Sequence, residues 1–230
     1  MSPASEPSGR ARRRIRDYLL LPSLVTEFER SYLQSMLRVA SWFLIAHVPA
    51  MMAVAALAGT GVLRAGVLTA FVVAGPLLAL RVLDQPRHIT KVFAVAGMCL
   101  AGLLVHFGQG PMQIEMHFYF FVLLALLVVF ADPSVILVAA ATIVAHHVLL
   151  FLLLPRSIFN YEASLWTVVV HAAFVLVESV AACFVARSFF DSVIGLEQKV
   201  QRRTGQLEAR GAELRLMLDT VDQGPSPDER

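Results

Sequence analysis

The run Ser134-Val135-Ile136-Leu137-Val138-Ala139-Ala140-Ala141-Thr142-Ile143-Val144-Ala145-His146-His147-Val148-Leu149-Leu150-Phe151-Leu152-Leu153-Leu154 has no Asp, Glu, Lys or Arg and is bracketed by Asp132-Pro133 and Pro155. As a helix rising about 1.5 Å per residue it matches a hydrocarbon core about 30 Å thick. A soluble helix would alternate apolar and polar faces, and this run does not. Its only ionisable groups are two adjacent histidines. Read this way, it is a membrane helix, and the rest of the chain can be tested for others.

Five further segments qualify: about Val39–Ala58, Ala65–Leu83, Ile89–Phe107, Ile114–Ala131, and a last one from Leu165 past Ala186. Gly59-Thr60-Gly61, Asp84-Gln85-Pro86, Gly108-Gln109-Gly110-Pro111 and Asp132-Pro133 punctuate them, as expected where helices stop. Composition agrees. The 230 residues are 57% hydrophobic and 16% charged, against about 25% charged in soluble domains. The expected fold is all-α and polytopic: residues 1–38 a basic N-terminus with an interfacial helix, 39–187 six transmembrane helices, 188–222 a coiled-coil helix and 223–230 a disordered end. Cys99 and Cys183 fall in apolar runs with no CxxC, so cysteine carries no redox information. Arg10–Arg16 is not followed by a short apolar core and cleavage site, so a signal peptide is not expected.

Basic residues set the expected orientation. Arg10, Arg12, Arg13, Arg14, Arg16, Arg30 and Arg38 precede the first span, Arg81, Arg87 and Lys91 flank the second connection, and Arg187, Lys199, Arg202 and Arg203 follow the sixth span. The opposite side has only Arg64 and Arg156. Positive residues stay inside, so both termini are expected in the cytoplasm. The basic N-terminus then contacts anionic lipid of the bilayer, and no nucleic-acid partner is expected.

On that topology, histidines gather toward the outside. His106 and His117 lie within roughly 5 Å of the outer helix ends, and His147 and His171 roughly 10 Å in. An ionisable group in hydrocarbon costs roughly 2.5–3.5 kcal/mol on insertion scales and marks a functional site by default. Glu115 stands two residues before His117. Glu178 follows His171 by seven residues, on nearly the same face. His47 is nearer mid-membrane and reads first as an interhelical contact. His146 and His147 point about 100° apart, so only one is expected to address a shared ion.

Imidazole with carboxylate suits copper, zinc, iron or nickel. Imidazole also ligates haem iron. A compact ion needs only three or four donors, which Glu115, His117, His147 and His171 supply. His106, His146, Glu178 and His47 are further candidates. Haem b, needing two facing axial histidines, is the alternative.

Three pieces stand in order: Ile114-Glu115-Met116-His117-Phe118-Tyr119-Phe120-Phe121, then Ala145-His146-His147, then Val170-His171-Ala172-Ala173-Phe174-Val175. Together with Thr26-Glu27-Phe28-Glu29-Arg30-Ser31-Tyr32-Leu33 they resemble a six-helix membrane sensor module. That module precedes bacterial histidine kinases, chemoreceptors and diguanylate cyclases. The likeness covers about residues 24–190 and implies a sensory role in a bacterial inner membrane. It names no ligand. Many relatives have Trp after the Asp that follows the fourth helix, where this chain has Asp132-Pro133. This departure bears on signal coupling more than on ligand binding.

The C-terminal segment carries a separate signal. Val193, Val200, Leu207, Leu214 and Val221 recur every seven residues, with Leu196 and Met217 on the complementary seam and Arg203 and Arg210 interrupting it. This predicts a short parallel coiled coil, hence a homodimer. Leu216 to Gly224 resembles the linker that enters the signalling part of hybrid kinases. No kinase or cyclase catalytic motif is present, so the expected output is a cytoplasmic kinase or other domain outside this sequence, and the chain is not expected to be an enzyme. Two other readings compete with a sensor. Buried His and Glu would also serve an ion or proton transporter, but no repeat or broken-helix pair supports that. A membrane metalloenzyme would need more ligands, in HxxxH and HxxHH spacings that are absent.

Overall fold

The computed structural model describes residues 18–22, 25–159, 161, 162 and 164–222. These form α1 (Glu27–Ala58), α2 (Val62–Val82), α3 (Pro86–Phe107), α4 (Gln113–Met116), α5 (Phe118–Leu126), α6 (Pro133–Leu153), α7 (Leu165–Phe189) and α8 (Leu196–Asp222), with no strand among the described residues. Six stretches are long and apolar enough to cross a membrane. The fourth runs Gln113–Phe130 through α4, α5 and a 3-10 turn, and the sixth runs Leu165–Ile194. The expected six-helix class is therefore observed. Arg10–Arg16 and the end 223–230 lie outside the described residues.

Span edges differ where hydropathy is a poor guide. α1 begins twelve residues before the expected first span. Thr26 caps it, its Oγ1 accepting from the Glu29 N–H at 3.1 Å, and Glu27 and Glu29 sit in the favourable first turn. Leu33, Leu37 and Leu44 are buried along one stripe, so the polar turns and the apolar span form a single helix with no break near residue 38. Asp132 caps α6 by accepting from Ser134 N–H at 2.8 Å, with Pro133 at the first helical position.

α3 is the central helix. It packs against α1, α2, α4, α5 and α6, and 61% of its most apolar window is buried, against 22–39% in the other five. The outward faces of the other helices carry exposed Phe71, Phe174, Leu176, Val177 and Phe184. Such all-round apolarity suits a bundle whose solvent is lipid. The connections α1–α2, α3–α4 and α6–α7 share one end, called here the site end. The α2–α3 turn, residue Ala131 and α8 share the other, the tail end.

At the tail end α7 passes into a π-helical turn, Phe190–Ile194, before Gly195 and α8. Phe190 and Ile194 pack on Ala131, whose φ of 53° is the only positive value at a non-glycine among the described residues. The expected C-terminal helix is present, but its pairing is not seen in a single chain. Val193, Val200, Leu207 and Leu214 are exposed, and the side chain of Val221 lies outside the described residues.

Candidate functional site: three clustered imidazoles at the site end

The fourth span is tightened where His117 sits. His117 N–H donates to Ile114 O at 3.0 Å and Phe120 N–H donates to His117 O at 3.1 Å. These i→i+3 bonds separate α4 from α5, a local deviation that often marks functional positions. Gln113 anchors the turn: it is 1% exposed, and its Nε2 donates to Val105 O and Arg156 O at 3.4 and 3.3 Å. The end of α3, the start of α4 and the α6–α7 connection are thus tied together next to His117.

His117, His147 and His171 form a nearly equilateral triangle. Ring centres are 5.9 Å apart for His117–His147, 5.8 Å for His117–His171 and 6.0 Å for His147–His171. Each ring makes the same local bond: Nδ1–H donates to the carbonyl four residues earlier, Gln113 O at 2.9 Å, Ile143 O at 2.9 Å and Thr167 O at 2.8 Å. A carbonyl can only accept, so the bond fixes the tautomer and leaves Nε2 with its lone pair. It also orients the ring, as outer-shell partners of metal-ligating histidines do. The Nε2 atom of His117 is buried with no hydrogen-bond partner, an arrangement that calls for an explanation.

The three rings border a cavity of ≈ 40 Å³, otherwise lined by Phe120, Phe121, Ile143, Val144, Val148, Val168, Ala172 and Val175. Phe159 lies outside that lining, against two of the rings. It stacks on His117 with ring centres 5.8 Å apart and planes 12° apart, and stands edge-on to His171 at 6.0 Å. Beyond Phe159 opens a larger polar recess bounded by Gln109, Gln113, Arg156, Tyr161 and Glu162.

No group of three His, Cys, Asp or Glu among the described residues is closed tightly enough to hold an ion as it stands. Metal–nitrogen bonds of about 2.0 Å in a trigonal arrangement would bring the ring centres to roughly 5.5 Å. The observed triangle is a few tenths of an ångström wider.

The other expected residues fall outside the triangle. Glu115 is exposed and does not line the cavity. Glu178 is half-buried toward the tail end, with Oε2 buried and unpartnered, and does not line it either. His106 is held by Ser157, Nδ1 to Oγ 3.0 Å, and lies edge-on to Phe107. His47 is fully engaged: Nδ1 donates to Phe43 O and Nε2 accepts from the Tyr119 hydroxyl, both at 2.7 Å, joining α1 to α5. His146 turns toward α3, where a Cβ on Gly102 would sit 2.4 Å from its Nε2. Of the adjacent pair, His147 joins the triangle. Sequence reasoning missed Phe159, Gln113 and Tyr119. Phe159 lies in an irregular connection where periodicity has no meaning, and Gln113 lies at a helix start that looks like solvent-facing polarity.

No family model, curated protein or solved structure matches the chain. Among the described residues, the site is three imidazoles from three apolar helices, each ring held by a carbonyl of its own helix, with the buried Nε2 of His117 left without a partner.

Proposed function

We infer that the chain is a membrane-embedded signal-transduction sensor. It binds a transition metal or redox cofactor through His117, His147 and His171 and passes the event along α7 to a cytoplasmic, kinase-type output. The triangle of imidazoles carries this reading. His47 pairs off with Tyr119; these three rings instead stand 5.8–6.0 Å apart around one cavity, and the buried Nε2 of His117 has no partner. A compact ion fits better than haem b. The cavity of ≈ 40 Å³ is far smaller than a macrocycle.

The route outward is α7. It carries His171 near one end and continues through the π turn into α8. A ligand shifts a two-state bundle only by its differential affinity for the two states. Drawing His171 toward the other rings would favour one tilt or rotation of α7 and so bias the exposed seam Val193, Val200, Leu207 and Leu214, where we place a parallel homodimer contact. On this reading the site end faces the exterior of a bacterial inner membrane, and both termini are cytoplasmic, as the arginine distribution indicates.

The test is purification in detergent followed by elemental analysis and an optical spectrum. A stoichiometric transition metal without the intense near-ultraviolet haem band is expected. Loss of the metal in His117→Ala, His147→Ala and His171→Ala, with retention in His88→Ala, an exposed histidine at the tail end of α3, completes it. Protein that holds no metal or haem and cannot be loaded with either would overturn the reading.

A further inference from the structure

We propose that the three-imidazole centre takes a single monovalent copper ion, Cu(I), and discriminates against divalent ions because no anionic donor reaches it. This rests on the reading that His117, His147 and His171 are ligands. It goes further by naming the ion from the charge balance of the cavity.

Every donor is a neutral nitrogen. The rest of the lining is hydrocarbon and aromatic. The two carboxylates nearest in sequence are placed elsewhere, Glu115 exposed and Glu178 displaced toward the tail end, and neither borders the cavity. A bound ion therefore keeps its full charge in an apolar surround. The cost of moving a charge out of water rises with the square of that charge, so a divalent ion suffers about four times the penalty of a monovalent ion of equal size. Divalent zinc in three-histidine sites completes its shell with water or hydroxide. Here the rest of the cavity wall is hydrocarbon and aromatic, with no side chain to hold such a water.

The geometry fits the same ion. Ring centres of 5.8–6.0 Å form an almost equilateral triangle, and no fourth donor side chain lines the cavity. Imidazole is an accepted copper donor, and a closed d-shell imposes no preference for the square-planar arrangement that Cu(II) seeks. The chain also provides a physical remedy for the missing charge: Ala172 and Val175 line the cavity beside and one turn below His171, so an acidic residue at either place would supply the absent anion.

The experiment uses the full chain in lipid nanodiscs under anaerobic, reducing conditions. Cu(I) is offered as its bicinchoninate complex, and Zn(II) and Co(II) are offered against chromophoric chelators. One Cu(I) per chain is expected, held about tenfold or more tighter than either divalent ion and lost in His171→Ala. Ala172→Asp should reverse the order by recruiting Zn(II), and Val175→Glu serves if Ala172→Asp fails to fold. Zn(II) or Co(II) bound by wild-type protein at the same three histidines as tightly as Cu(I) overturns the copper assignment and leaves the ligand reading standing. A folded acidic variant that gains no divalent affinity overturns the charge argument. Absence of any metal binding overturns both this inference and the reading beneath it.

Discussion

Arg87 grips Glu29 with both arms of its guanidinium: Nε lies 2.5 Å from Oε1 and Nη2 lies 2.8 Å from Oε2. The Glu29 side chain is 3% exposed and that of Arg87 14%. A third bond runs from Arg87 Nη1 to Pro22 O at 2.6 Å. The same guanidinium stands 5.9 Å from the ring centre of Phe190, in the π turn that leads to α8. One side chain thus joins the starts of α1 and α3 to the segment through which α7 leaves the bundle. Removing one partner strands a buried charge, so Glu29→Ala or Arg87→Ala should each lower stability by roughly 3–5 kcal/mol. A double-mutant cycle on detergent unfolding checks this. Additive losses would mean that the pair does not act as a unit.

Metal content should follow the triangle and ignore the histidines already engaged. His106→Ala and His47→Ala should retain the ion, since Ser157 and Tyr119 hold those rings. His47→Ala should cost roughly 0.6–2 kcal/mol, the usual range of an interhelical hydrogen bond in a bundle. Elemental analysis beside a thermal melt separates the two effects.

Gly102 is where α3 lets His146 approach its backbone. In Gly102→Ala the new Cβ would fall 2.4 Å from His146 Nε2, so the ring must leave. That should cost about 1–3 kcal/mol, as overpacking generally does, and should weaken metal binding through the neighbouring His147. Adding His146→Ala to Gly102→Ala should recover stability. If the double variant melts no higher than the single one, the clash is not the cause.

Self-crosslinking through single cysteines, with Cys99 and Cys183 replaced, reports on the tail. Val200→Cys and Leu207→Cys should crosslink more than Glu208→Cys, which lies off the seam. Metal loading should change the yield at Val193→Cys or Val200→Cys, and His171→Ala should abolish the change. Arg203→Leu should strengthen the seam and make the yield insensitive to metal. Equal yields at every tail position would signify random collision.

Topology is checked by reporter fusions. A fusion at Gly110 should report the exterior and one at Gln85 the cytoplasm. A cytoplasmic signal at Gly110 would place the imidazoles near the inner face and remove the outward-facing sensor reading.

Six apolar stretches, their punctuation by Pro and Gly, the boundary at Asp132-Pro133 and the helical tail were legible in the residues alone. Each depends on local quantities: mean hydropathy over about 20 residues, the missing proline N–H, the reach of a capping side chain. That several histidines lie within apolar runs was legible too, since an ionisable group within hydrocarbon stands out against any apolar background. Which of them meet was settled only by the packing. A helix that faces lipid and protein alike is apolar all round, so its hydrophobic pattern does not reveal which side turns inward. Rotation about the axes of α6 and α7 put His147 and His171 beside His117 and turned His146 toward Gly102. The i→i+3 step at His117 left Glu115 exposed, although two residues in sequence had suggested a shared ligand set. Phe159 reached the site from an irregular connection, and Glu29 found Arg87 across 58 residues. Such contacts arise from how helices pack in three dimensions, and no sequence-local regularity encodes them.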